Sequence, residues 1–472
     1  MNLPHIFLLA GFLLLARLIP AFQIRRGLLT AASCVFLFIF QPVLPVRELD
    51  FFLPLCTILL VLLVYAAFTR TPILTKQNLT ELGIIVLTVL LIASTRFFSY
   101  DGILSASRPP RLDKAAVPLA AAVIGCFWLN RLFAGKKGFS AFCAGLILLI
   151  LVILKTEPLS LGFSRILRSF TGQAADTAAS GDIRWFGFSY IAFRLLSILI
   201  DTMKGRKADM SPGTFLVYVC FPPALSAGPI DRWDRFTKEY AAGPSAPLSK
   251  DLEDGLTQIA YGLFHKFILA DALAKMALSA QNAGQFIHKG WAWAALFAYA
   301  LQIFFDFSGY SEIAVGLGTL LGIRLPKNFD HPYLKGDLSK FWSSWHMTLT
   351  QWIRSYVFNP LTRALRSQKE RPLPQWLIAL ITQLTTMLLI GLWHGVSLNF
   401  IIWGLWHGIG LFIHQLYSKQ TGPWLRKQSG TFQKVYTLCS TVLTILFVSL
   451  GWVWFVTPDP SAAIGFFGRL FG

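Results

Sequence analysis

Two histidines occupy apolar, tryptophan-rich surroundings, His346 in FWSSWHMTLTQW and His394 in LLIGLWHGVSLNF. An ionisable ring held inside lipid is costly, so by default it marks a functional site. An unperturbed imidazole titrates at about 6.5, which makes its neutral form the natural proton acceptor near neutral pH. Gly395, next to His394, would allow close approach of a substrate or an unusual backbone angle. The bland alternative for His394 is a ring that hydrogen-bonds across helices. Around His346, helical spacing places Trp345, His346 and Trp352 partly around one helix, with Trp342 one turn earlier and Arg354 nearby. Two readings of this segment stay open. It is an amphipathic interfacial helix with its tryptophans in the membrane belt, or it is one wall of a funnel leading to His394. The histidines are far apart in sequence, so the fold must bring them together.

Other polar residues in apolar runs are weaker candidates. Asp306, Ser308, Tyr310, Ser311 and Glu312 fall in LQIFFDFSGYSEIAVGLG. The two carboxylates do not stack on one helical face, so Asp306 is expected to fix a neighbouring helix or to orient a histidine. His407 and His414 are two turns apart and could share a face. A zinc site would want i, i+4 histidines or cysteine partners, and no metal is expected. The six cysteines, Cys34, Cys56, Cys126, Cys143, Cys220 and Cys439, form no C-x-x-C pair and read as small buried apolar residues. No phosphate-binding loop, G-x-S-x-G elbow or dinucleotide fingerprint occurs. With no evident activated serine or cysteine, direct transfer assisted by a base is favoured over a covalent intermediate.

The elements that must position these groups are membrane helices. Of the 472 residues, 55% are hydrophobic and only 14% are charged, against roughly 25% charged in a soluble domain. A spanning helix needs about 20 largely apolar residues. Windows of that kind predict an all-α, polytopic membrane protein with about eleven to thirteen embedded helices, some re-entrant or interfacial, around a central funnel or tunnel. The net charge of +19 fits basic loops at headgroup level and not nucleic-acid binding. Arg25 and Arg26, Arg70 and Lys76, and Lys136 and Lys137 fall in alternate loops, which puts the N-terminus outside. The N-terminal apolar stretch lacks a leading charge and a cleavage site and reads as a retained helix. Three regions are expected: a scaffold of transmembrane helices over 1–155, a core over 183–418 whose apolar runs are broken by Gly, Pro, Asp, Asn, His and Trp, and a C-terminal transmembrane helix and tail over 419–472. The polar stretch 156–182 is expected to be a surface loop, 231–254 a second exposed stretch of mixed charge with an acidic helix start, and the basic run 363–374 an interfacial or cytoplasmic loop.

The segments FDFSGYSEIAVGLGTLLGIRLPKNFDHPYL, SKFWSSWHMTLTQWIRSYVF and IGLWHGVSLNFIIWGLWHG, in that order, resemble the membrane-bound O-acyltransferases. The likeness is greatest to the bacterial branch that O-acetylates alginate and D-alanylates teichoic acid. It covers roughly 185–415, and AGPIDRWDRF at 227–236 and GLFHKFILAD at 262–271 also resemble family segments. The resemblance implies a buried catalytic histidine at His394, a second functional histidine at His346, and a tunnel joining the two membrane faces. It implies a cytoplasmic acyl thioester as co-substrate, acetyl-CoA or an acyl-carrier protein, with no permanently bound cofactor. It also implies an extracytoplasmic SGNH-type transferase as partner in a bacterial cytoplasmic membrane. The chain departs from the family pattern where Ser355 replaces an acid in WIRSYV, where a Gly-Gly-Asn-Arg run gives way to TRALRSQKERP, and where GFSYIAF stands at 187–193.

The mechanism that follows moves a short acyl group, expected to be acetyl, to a hydroxyl of a cell-envelope polymer. His394 is the general base, and His346 orients the donor carbonyl or stabilises developing charge. Asp306, Tyr310, Asn328, Trp345, Arg354 and Trp393 are the supporting residues. One alternative is a transporter or flippase of a lipid-linked or polymer precursor without thioester chemistry. Another is a structural subunit that recruits a soluble transferase.

Overall fold

The computed structural model of the chain describes residues 2–69, 74–98, 104–206, 208–244, 246–368 and 372–472. Arg70 and positions 369–371 of the basic run lie outside the described residues. Among those described, every regular element is a helix. Backbone groups in hydrocarbon must be satisfied within their own segment, which leaves the helix as the natural element for such an apolar chain. The chain divides into two compact units, Met1–Ile259 with Ile313–Leu325, and Ala260–Glu312 with Pro326–Gly472.

The first unit opens with α1 (Leu3–Arg17), α2 (Phe22–Phe40), α3 (Leu49–Phe68), α4 (Lys76–Ser94), α5 (Leu112–Phe133) and α6 (Lys137–Lys155). It continues with α7 (Glu157–Phe170), α8 (Phe188–Met203), α9 (Pro212–Val219), α10 (Trp233–Ala242) and α11 (Leu248–Phe264), whose last residues belong to the second unit. The most buried of the spanning helices is α3, which packs against α5, α6 and α8. Several buried charges inside this unit are paired, which offsets the cost of their burial. Arg17 meets Asp251 at 2.7 Å. Arg26 meets Glu81 at 2.7 Å, and Glu81 also accepts the Gly213 amide at 2.7 Å. The buried Arg194 guanidinium donates to the carbonyls of Val219, Ala224 and Pro229 and so ties down the turn before α10.

Two loop expectations are corrected here. Half of 156–182 is helix α7, whose Leu159, Phe163, Ile166 and Phe170 form one exposed apolar stripe while Ser160, Ser164 and Arg168 face inward. The interspersed Ser and Gly hid the period. Within 231–254, Asp231 and Asp251 are buried and not exposed. Asp231 pairs with Arg235 and Asp251 with Arg17 and Arg324.

In the second unit the chain leaves α11 through a π-helical turn, His265–Ala270, and the short α12 (Asp271–Ala274). Then come α13 (Lys289–Leu321), α14 (Leu338–Ser344), α15 (Met347–Ile353), α16 (Asn359–Arg366), α17 (Gln375–His394), α18 (Leu398–Leu425), α19 (Gly430–Val456) and α20 (Pro460–Phe471). Eight helices among the described residues are long and apolar enough to cross a membrane, namely α2 to α6, α13, α17 and α19. The chain is an all-α multi-pass membrane protein. The eleven to thirteen embedded helices expected from sequence compare with these eight among the described residues, and α1 is a shorter apolar helix beside them.

Gly309 lets the π-helical turn sit directly on α13, since a Cβ there would come within 2.7 Å of the Gly262 carbonyl and 2.8 Å of the Lys266 amide. Two ion pairs straddle that contact, His265 with Glu312 at 2.7 Å and Lys266 with Asp306 at 2.5 Å. Asp306 thus fixes a neighbouring element. The carboxylate that holds a histidine is Glu312, because the turn carries His265 to one side of Gly309 and Lys266 to the other. Overpacking costs roughly 1–3 kcal/mol. Gly309→Val is therefore expected to lower the unfolding temperature in detergent by a few degrees. Gly290→Ala, where a Cβ meets open space, should leave it unchanged.

Candidate functional site

The segment around His346 is not one helix. α14 ends at Ser344 and α15 begins at Met347, and His346 between them adopts a left-handed conformation at φ 44°, ψ 54°. Such a conformation is uncommon outside glycine and asparagine, and it turns the imidazole inward, where it is buried. The interfacial reading, with this ring facing headgroups, is thereby replaced. The neighbouring tryptophans are no belt either, since Trp342 and Trp345 are buried with Trp403 and Trp452. Trp345 stacks on Phe341 with centroids 5.6 Å apart and packs against Phe329 and Trp452.

Asn328 anchors the break. Its backbone carbonyl accepts the Met347 amide at 2.8 Å. Its side-chain Oδ1 accepts from the Thr348 amide at 3.2 Å, from Thr348 Oγ1 at 2.9 Å and from His346 Nδ1 at 3.0 Å. Its Nδ2 donates to Ser311 Oγ at 3.2 Å. A backbone N–H can only donate, so the atom facing Thr348 is the amide oxygen, and His346 Nδ1 must carry a hydrogen. In a neutral ring that leaves the lone pair on Nε2. In that form the ring meets Asn328 through Nδ1 and turns Nε2 away from it. Phe307 on α13 closes one side of the ring at 4.6 Å.

His394 is the last residue of α17 and is partly exposed. Gly395 has φ 177°, extended backbone that any residue adopts. What glycine supplies there is room, because a Cβ would come within 2.7 Å of the Phe400 ring. Gly391 and Gly404 likewise let α17 and α18 close on each other, each facing a carbonyl of the other helix, Phe400 and Met387 respectively. Trp393 contacts both histidines, 4.6 Å from His394 and 6.4 Å from His346. The remaining rings around His394 are Phe455 at 4.8 Å, Trp403 at 5.7 Å and Phe400 at 6.0 Å. Sequence reasoning had not singled out Phe455, Trp403 or Phe307. Phe455 belongs to α19, in the stretch expected to be the C-terminal helix and tail.

Of the other candidates, Tyr310 is buried on α13, whereas Asp306 is exposed and turned to Lys266. Arg354 opens a π-helical turn after α15. It lines a cavity of about 420 Å³ with Trp342, Thr350, Gln383, His414 and Gln415. Asp337 caps α14 through the Lys340 amide and pairs with Lys340 and His414. Burial alone would raise its carboxyl, but those hydrogen bonds outweigh it and hold Asp337 well below the usual carboxylate range. Removing the Oδ1 acceptor by Asn328→Ala is expected to mix the His346 tautomers. Nitrogen-15 NMR of histidine-labelled protein should show a single neutral Nδ1–H form of His346 in wild type and a second form in the variant.

Residues 140–457 match the family described as MBOAT, membrane-bound O-acyltransferase family. The chain is similar to a teichoic acid D-alanyltransferase of Streptococcus thermophilus, at 32% identity over 60% of this chain and 64% of that protein. It is similar to a probable alginate O-acetylase of Pseudomonas syringae, at 33% over 60% of this chain and 51% of that protein. It is also similar to a peptidoglycan O-acetyltransferase of Helicobacter pylori, at 33% over 53% of this chain and 45% of that protein. The chain thus spans about half to two thirds of the length of these relatives.

Proposed function

The chain belongs to the membrane-bound O-acyltransferase family, and on that premise we propose that it transfers a short acyl group, acetyl in the first instance, from a thioester to a hydroxyl. The observation that carries the reading is the pair of histidines that both contact Trp393, one of them hydrogen-bonded through Nδ1 to Asn328. His394 is the general base. It ends α17, and the negative end of a helix dipole favours the imidazolium formed when it takes a proton. The hydroxyl oxygen attacks the thioester carbonyl as its proton passes to His394. The carbon–sulfur bond then breaks, and the departing thiolate takes the proton back. His346 is the second functional histidine of the proposal and orients the reacting groups. Trp393, Trp345, Tyr310 and Asn328 keep the two rings in register, Arg354 serves the cavity side, and Asp306 acts only through the clamp on α13.

The three relatives are named for acyl transfer involving teichoic acid, alginate and peptidoglycan. This supports an acceptor of the same class, a hydroxyl of an extracytoplasmic polysaccharide or cell-wall polymer. The donor in this reading is a cytoplasmic thioester, acetyl-CoA or a loaded carrier protein, with no resident cofactor. Delivery to the polymer falls to an SGNH-type transferase outside a bacterial cytoplasmic membrane. Residues 183–418 are the catalytic core of the proposal, with 1–155 as scaffold and 419–472 supplying a further membrane helix.

General base assistance contributes roughly 10²–10⁴-fold. His394→Ala is expected to lower thiol release from acetyl-CoA by that factor while inserting and folding like wild type. Thiol release also separates transfer from transport, because a carrier would bind its cargo without consuming the thioester. A His394→Ala protein that releases thiol at the wild-type rate would remove this histidine from the chemistry.

A further inference from the structure

The pentapeptide GLWHG occurs twice, at 391–395 and 404–408. The second copy places His407 where no hydrogen bond from the described residues reaches it. The ring is fully buried, and neither Nδ1 nor Nε2 has a partner. Its neighbours are the rings of Trp342 and Trp403, each at 5.0 Å, Phe447 at 5.7 Å and Trp452 at 6.3 Å. Gly451 on α19 closes the remaining side, since a Cβ there would lie 2.7 Å from Nε2. Leaving a buried polar ring unpartnered costs free energy that a phenylalanine of similar shape would not cost. Packing and stability therefore do not explain an imidazole here.

Its position does. Trp403 touches His407 on one side and His394 on the other. Trp342 touches His407 and lines the cavity that Arg354 borders. The indole nitrogens of Trp342 and Trp403 are themselves without hydrogen-bond partners, so only ring contacts set the rotation of these two side chains. His407 meets both at steep angles, 84° and 65°. At such angles a polar ring edge can direct itself at an indole face, a weak but orienting contact.

We propose that His407 is a positioning residue for acyl transfer: it sets the Trp403 indole on which the general base His394 rests and the Trp342 indole that walls the cavity. The inference rests on the acyltransferase reading above. The effect passes through ring orientation and not through contact with the reacting atoms.

The test compares His407→Phe, His407→Gln and Trp403→Phe in the full-length protein in detergent, with thiol release from acetyl-CoA, thermal unfolding and nitrogen-15 NMR of His394 as readouts. His407→Phe is expected to unfold at the wild-type temperature or above, to lose at least tenfold in kcat with a smaller change in KM, and to shift the His394 resonances. His407→Gln, which keeps a polar edge, should recover part of the loss. Combining His407→Phe with Trp403→Phe should add little to either alone, because both break the same contact. The proposal is overturned if His407→Phe keeps wild-type kcat and His394 resonances. It is equally overturned if that variant is inactive because it unfolds at lower temperature while His407→Gln restores nothing. A wild-type protein that releases no thiol would count against the acyltransferase reading instead, and the NMR comparison would still decide whether His407 orients His394.

Discussion

Everything at the centre of the second unit hangs on one amide oxygen. Asn328 Oδ1 gathers hydrogens from the Thr348 amide, the Thr348 hydroxyl and His346 Nδ1, while its own amide group reaches Ser311 on α13. One buried side chain thereby pins the break between α14 and α15, joins it to α13 and selects the tautomer of a histidine. A fully satisfied polar cluster of this kind is rigid, because in a medium of low dielectric any lapse leaves an unpaired group at high cost. The left-handed backbone at His346 is paid for by these bonds, an example of strain concentrated where chemistry is proposed.

Around that point the molecule packs aromatic rings. Trp393 contacts both histidines, and Phe455, Trp403 and Phe400 pack around His394. Glycines at 391, 395 and 404 bring the backbones and rings of α17 and α18 to contact distance. This division fits general base chemistry. A rigid polar anchor sets one imidazole, and aromatic rings enclose the other at the C-terminal end of α17.

Much of this was legible before any coordinates. The apolar windows implied an all-α membrane protein, and His346 and His394 stood out because charge is expensive where they lie. Asn328 belonged to the expected supporting set. What the sequence did not carry was local geometry. Helical spacing ran through His346 because nothing in SSWHM announces a left-handed residue; only the partners from Asn328 and Thr348 make that conformation stable. The Trp342 and Trp345 side chains looked interfacial, since a tryptophan serves a membrane belt and a buried ring cluster equally well. Asp306 and Glu312 were seen as a pair of polar residues, yet the π-helical turn that sends them to Lys266 and His265 has no sequence period of its own. Phe455 went unmarked because a phenylalanine in a spanning helix is ordinary until the fold sets it on His394. Helix α7 was hidden by its serines, which face inward to Asp182 and Ser180.

The claim at the centre of this account is that the imidazole of residue 394 takes a proton in the step that breaks the thioester. Chemical rescue addresses it most directly: thiol release by His394→Gly protein is measured with a series of added imidazoles of graded basicity and similar size. The account predicts that activity returns and that the rescued rate rises with the basicity of the added imidazole. A folded His394→Gly protein that no imidazole rescues, or one rescued equally by bases of every strength, would contradict it.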